Sequence, residues 1–141
     1  MSPAFPLLML LAAQRGVETG APAFASEAPD CAEPMTQQAM NYCAGLEYDE
    51  ADKALNAQWR ETAAEMRRLD AASTPDDGRP GYFEQLLAAQ RAWLIYRDAH
   101  CASEGYYARG GSLEPLLVAT CKTKVTRART LQLRELSDNP R

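Results

Sequence analysis

Between Tyr48 and Leu69 apolar side chains recur every three or four positions, at Tyr48, Ala51, Leu55, Trp59, Ala63, Met66 and Leu69. Glu47, Asp49, Glu50, Lys53, Arg60, Glu61, Glu65 and Arg68 fill the positions between them. This period predicts an amphipathic helix with one face inward and a charged face in water. Thr36, just past Pro34, suits the N-cap, because its hydroxyl can accept a hydrogen bond from a free N–H of the first turn. The stretch STPDDGRPG, Ser73 to Gly81, is dense in turn formers, so the chain reverses there. From Phe83 a second helix carries Leu86, Gln90, Trp93, Arg97 and Cys101 on one stripe, with Leu87, Leu94 and Tyr96 beside it. Gly110 and Gly111 end it, Ser112 is placed to cap a third helix, and Pro115 is tolerated in that helix's first turn. Leu117, Cys121, Val125, Ala128 and Leu131 carry the period on toward Leu136. No alternating strand pattern or internal repeat interrupts this order. The expected fold class is all-α: a small disulfide-stapled bundle of three main helices, the two longest antiparallel.

Composition narrows the function classes. A chain of 141 residues, 46% hydrophobic and 24% charged, is one globular domain's worth. Its net charge of −4 argues against a nucleic-acid partner and suits a basic protein better. The run FPLLMLLAA, Phe5 to Ala13, is too short for a bilayer span but fits the apolar region of a secretory signal, with AFA at Ala23 to Ala25 as a cleavage site. The expected organisation is a signal peptide over residues 1–25 and a single helical domain over 26–141, with no membrane span in the mature chain. Cys31, Cys43, Cys101 and Cys121 are spaced by twelve and twenty residues within the two pairs, matching no zinc or redox motif. Two structural disulfides are the expected use; of the three possible pairings the two local ones, Cys31 with Cys43 and Cys101 with Cys121, are favoured. That use requires an oxidising compartment, which places the protein in the periplasm or outside the cell. Each bridge is expected to contribute about 2 to 4 kcal/mol.

Candidate chemistry concentrates in AQRAWLIYRDAHC, Ala89 to Cys101, and in the loop after it. His100 is the sole histidine, so no site can be built on paired histidines. With the cysteines paired and the first helix's carboxylates at surface spacing, no catalytic set, metal site or cofactor is expected. Gln90, Trp93 and Arg97 occupy core-stripe positions where polar groups are costly without partners. Asp52 and Asn56 on the first helix are the natural partners, giving a structural polar network that fixes the helices' register; the functional alternative is that Trp93 and Arg97 anchor a ligand. The segment YYARGGSLEP brings Tyr106, Tyr107, Arg109, Gly110, Gly111 and Ser112 into one stretch flanked by Cys101 and Cys121. Aromatic, cationic, flexible and hydroxyl groups together suit a recognition loop; the plain alternative is a helix connection whose glycines only permit the turn.

Five ordered blocks resemble one family: TQQAMNYCA (Thr36 to Ala44), YDEADKALN (Tyr48 to Asn56), AQRAWLIYRDAHC, GGSLEP (Gly110 to Pro115) and TRARTLQL (Thr126 to Leu133). With the four cysteines they are similar to the LprI-type lysozyme inhibitors of the bacterial envelope, over almost the whole mature chain. The third helix departs from that pattern, with KVTRART where a leucine–threonine pair is more usual. The resemblance implies a secreted helical domain whose protein partner is a lysozyme, and it identifies no inhibitory residues. No cysteine follows the leader at lipobox spacing, so lipid anchoring is not carried over. The expected function is cleft blockage without turnover, with the Tyr106–Ser112 loop as the contact. The alternatives are an envelope module that binds a protein or a cell-wall fragment through its helical faces, and an enzyme acting on peptidoglycan.

Overall fold

The computed structural model describes residues 28–73 and 76–138; the leader and its cleavage site lie outside them. Three helices form, α1 (Gln37–Ala72), α2 (Tyr82–Gly105) and α3 (Glu114–Asp138), with one 3-10 turn (Tyr106–Ala108) between the last two, and no strand occurs among the described residues. Thr36 caps α1 as its sequence position predicts, its Oγ1 accepting from the Ala39 N–H at 3.1 Å. α2 has no side-chain cap from its own N-cap residue, Gly81. Instead the Asp70 carboxylate, near the end of α1, accepts the N–H groups of Tyr82 and Phe83 at 2.7 and 3.0 Å. One side chain thereby fixes where the chain turns back.

α1 and α2 are antiparallel, as the reversal at 73–81 requires: Asp70 meets Tyr82, and Asp52 meets Arg97. α3 returns alongside α1 in the same direction, since Asn41 meets Ser112 while Thr62 meets Leu133. α1, at 36 residues and about 54 Å, spans the full length of the bundle. The expected local disulfides are present, Cys31–Cys43 tying the N-terminal segment onto α1 and Cys101–Cys121 joining α2 to α3.

Apolar packing lies in the half of the bundle nearer the α1–α2 turn. Leu55, Met66, Leu86 and Leu133 form its buried cluster, with Trp59, Leu69, Phe83 and Trp93 packed against it. Among the described residues the end that carries the 3-10 turn has no comparable apolar cluster; it is held by the two disulfides and by polar links described below. Where α3 meets α1 the sequence expectation is rotated. Leu131 is 56% exposed and Ala128 is also exposed, whereas Thr123, Thr126, Thr130 and Leu133 face inward beside Cys121. Threonine fits there because its hydroxyl can bond within its own helix: Thr123 and Thr130 donate to the carbonyls of Ala119 and Thr126, both at 3.0 Å. On α1 the matching positions are Gln58 and Thr62; Thr62 donates to the Leu133 carbonyl at 2.9 Å and accepts from Gln58 Nε2 at 3.3 Å.

Candidate functional site: the loop end of the bundle

The loop Tyr106–Ser112 is exposed, yet it is anchored on every side. Arg109 N–H closes the 3-10 turn onto the Tyr106 carbonyl at 3.2 Å, and Gly111 N–H bonds the Ala108 carbonyl at 2.8 Å. Gly110 adopts φ +77°, the left-handed region that favours glycine, and its N–H is taken by Glu114 Oε2 at 2.7 Å. α3 begins at Glu114, two residues beyond Ser112, so Ser112 is not placed as its N-cap; the Glu114 carboxylate instead folds back onto the loop. Ser112 contributes its carbonyl, which accepts from Asn41 Nδ2 of α1 at 2.9 Å, while Gln37 Nε2 bonds Asn41 Oδ1 at 2.8 Å and orients that amide. Cys101–Cys121 joins the helices on either side of the loop. Gly105 lets those helices close up, since a Cβ there would stand 2.5 Å from Val118 Cγ2.

Tyr107 is 91% exposed and Tyr106 projects beside it, with the Arg109 guanidinium 4.7 Å over the Tyr106 ring. Such stacking holds Arg109 in place without spending its hydrogen-bond donors, which stay available to a partner. Met35, Tyr42, Leu46 and Leu113 are further exposed apolar side chains at this end, and Glu47, Asp49 and Glu50 lie close along α1. An apolar and aromatic cap with a carboxylate border is the result.

Beside the loop an open groove of about 630 Å³ runs between α1 and α3, lined by Tyr48, Gly110, Gly111, Val118 and Lys122 among others. Below Tyr48 lies an ionic layer. Arg97 is buried, donating from Nε to Asp98 Oδ1 at 2.9 Å and from Nη1 to Asp52 Oδ1 at 3.4 Å; Lys122 reaches Asp98 at 3.2 Å. Asn56 donates to Asp52 at 2.9 Å. The Arg97 guanidinium stands 5.3 Å from the Trp93 ring and 5.6 Å from that of Tyr48. Asp52, Asn56, Trp93 and Arg97 thus share one cluster. Gln90 lies outside it: its Oε1 accepts from Arg129 Nε of α3 at 3.0 Å. Sequence reasoning missed Asp98, Lys122 and Tyr48 as members: Tyr48 counts with the apolar face of the first helix, and no local pattern marks Asp98 or Lys122 as partners between helices. The hydrogen bond from Arg97, reinforced by Lys122, holds the Asp98 carboxyl below its ordinary range, and burial raises the Tyr48 phenol above its own.

His100, Glu104 and Cys121 place one ligand atom each within 4.8 Å of one another. The Cys121 sulfur is already bonded to Cys101, so with the bridge closed only a His–Glu pair remains, His100 Nε2 lying 3.2 Å from Glu104. Among the described residues no helix is long and apolar enough to cross a membrane.

Three helices, two disulfides and a loop anchored at one end define a small all-α, disulfide-stapled bundle. The chain belongs to the family described as lysozyme inhibitor LprI, whose family model matches residues 29–133. An uncharacterized protein of Rhizobium meliloti (strain 1021) is 42% identical over 112 residues, covering 79% of this chain and 81% of its own. No solved structure matches. The family description names lysozyme inhibition, which implies a protein partner, and together with two disulfides it is consistent with an extracytoplasmic protein.

Proposed function

We propose that this protein is a periplasmic or secreted inhibitor that blocks a lysozyme's substrate cleft without turnover, presenting the Tyr106–Ser112 loop to it. One observation carries the reading: the loop is highly exposed at Tyr107 but fixed by Cys101–Cys121, by Asn41 and by Glu114. An element ordered before binding loses little entropy on association, which is what a stable plug requires. Lysozyme cleaves with two carboxyl groups at the floor of its cleft, so an arginine and hydroxyls at a loop tip are suitable contacts. Tyr106 and Tyr107 supply rigid contact area. The carboxylates Glu47, Asp49 and Glu50 favour encounter with a basic partner, chiefly through the association rate. Residues 1–25 act in this reading as the export signal.

The test is the rate of cell-wall lysis by a basic animal-type lysozyme as the oxidised protein is added. Dose-dependent loss of activity, saturating near equal molar amounts, is expected. Replacing Arg109 and Ser112 together by alanine should weaken inhibition by about tenfold or more, as expected for loss of one or two charge-assisted contacts. Unchanged inhibition removes the loop from the contact. A second reading, an envelope module that captures a cell-wall fragment, is favoured by the groove under Tyr48. It requires fragment binding that is lost in Tyr48→Ala, together with lysis that is indifferent to the protein.

A further inference from the structure

α2 buries Leu86, Gln90, Arg97 and Cys101 along one side, so its opposite side faces away from the bundle. Ile95 lies at the middle of that outward side and is 73% exposed. Around it Ala88, Ala92 and Ala99 are exposed too, so near Ile95 the face carries charge along one edge only; the exposed Glu84, about 20° from Ile95 toward that same edge, lies about three turns away at the start of the helix. At about 100° per residue, Arg91 sits about 40° and Asp98 about 60° to the same side of Ile95, four residues before it and three after. Arg91 has no ion-pair partner among the described residues. The contacts of Asp98 with Arg97 and Lys122 both reach Oδ1, and its side chain remains 54% exposed.

We propose that this face pairs with the same face of a second copy of the chain, antiparallel about a two-fold axis beside Ile95. Such an axis reverses direction along the helix but keeps each edge on its own side. Arg91, about 6 Å from the axis, then meets Asp98 of the other copy, about 4.5 Å from it on the same side. The pairing forms twice by symmetry, and like charges stay apart. On the opposite edge Ala92 meets Ala99, which lets the helix axes come within the usual about 8 to 10 Å. This self-complementarity distinguishes a second copy from an anionic lipid surface, which would favour cations along both edges. Because the loop follows the C-terminal end of α2, antiparallel pairing sends the two loops to opposite ends of the dimer, each level with the start of α2 in the other copy. The inference does not depend on what those loops bind.

A single helix face buries less than the ~800 Å² per partner of a standard interface, so the dimer is expected to form only at high protein concentration. Sedimentation equilibrium of the oxidised chain over a range reaching millimolar concentration tests it. The average mass should climb from the monomer value toward twice that value. Ile95→Glu and, separately, Arg91→Glu should each raise the dissociation constant at least about tenfold with the helical circular dichroism unchanged, whereas Arg91→Lys should stay near wild type. Both variants alter exposed positions, so loss of folding is not expected to intervene. A chain that remains monomeric throughout, or a dimer indifferent to both glutamate substitutions, overturns the proposal.

Discussion

Thr62 and Thr126 are both fully enclosed where α1 meets α3, but only Thr62 has its hydroxyl engaged, as donor to Leu133 and acceptor from Gln58. Thr126 Oγ1 has no hydrogen-bond partner. Valine has nearly the shape of threonine, so the same substitution at the two positions isolates the hydroxyl. Thr62→Val should destabilise the fold by about 1 to 3 kcal/mol, because Gln58 loses a partner in a buried place. Thr126→Val should be neutral or stabilising, since it removes a desolvated hydroxyl that gains nothing in return. Paired denaturant titrations decide it; equal losses at both positions would show that the bond to Leu133 is energetically idle. Asp98 gives a second expectation at this scale. Its carboxyl is held below the ordinary range by Arg97 and then Lys122, so its folded pKa lies below its unfolded one. That contribution to stability is complete above the unfolded value of about 4 and is lost as pH falls through the folded value. Asp98→Asn should therefore flatten the dependence of melting temperature on pH below about 4 while leaving its alkaline side alone. The size of the effect is small, because the side chain is more than half exposed and solvent screens it.

Among the elements, α3 is joined to the rest by Leu133 in the apolar cluster and by Cys121 at the loop end, with polar links from Lys122, Arg129 and the Leu133 carbonyl between them. Leu133→Ala should cost about 2 to 5 kcal/mol, since a fully buried leucine leaves a cavity that the surrounding helices fill only in part. Gly105→Ala forces α2 away from Val118 and should both lower the melting temperature and weaken inhibition, because it shifts one support of the loop. How far each element was legible follows from side-chain chemistry. α1 and α2 announce themselves: the Thr36 cap, the period through Leu55 and Met66, and the stripe Leu86, Gln90, Trp93, Arg97, Cys101 are strong patterns, and all of the stripe is buried except Trp93, which is half-buried against the apolar cluster. α3 was legible as a helix but not in its orientation. Its inward face is largely threonine, which reads as polar, while Leu131 stands in solvent and reads as core. Gln90 was legible as needing a partner but not as meeting Arg129, because nothing in a linear pattern tells which third helix will pass by. The loop's composition was plain; the Asn41 amide that fastens it lies 71 residues away and carries no local signal.

Viewed whole, the molecule is held differently at its two ends. Apolar packing stabilises the half near the α1–α2 turn, and covalent and polar ties hold the half that carries the loop. Closing a loop of twenty residues, as Cys101–Cys121 does, stabilises by about 3 kcal/mol through the unfolded chain. Reduction should therefore act unevenly. Hydrogen exchange on the reduced protein is expected to accelerate first in residues 100–122 and at the start of α1, with Leu55, Met66 and Leu86 keeping their protection longest. Uniform acceleration along all three helices would show that the two halves unfold as one. Under reducing conditions inhibition should fall before most of the helical signal is lost.

The separation of the two halves also makes the protein a natural display frame. The turn from Arg109 to Leu113 sits between a disulfide and a glutamate clamp, remote from the apolar residues that drive folding. Foreign sequences that keep Gly110, Glu114 and the Asn41 contact can be exchanged into it without redesigning the bundle. The same frame could then present different binding tips, each grafted onto an unchanged handle.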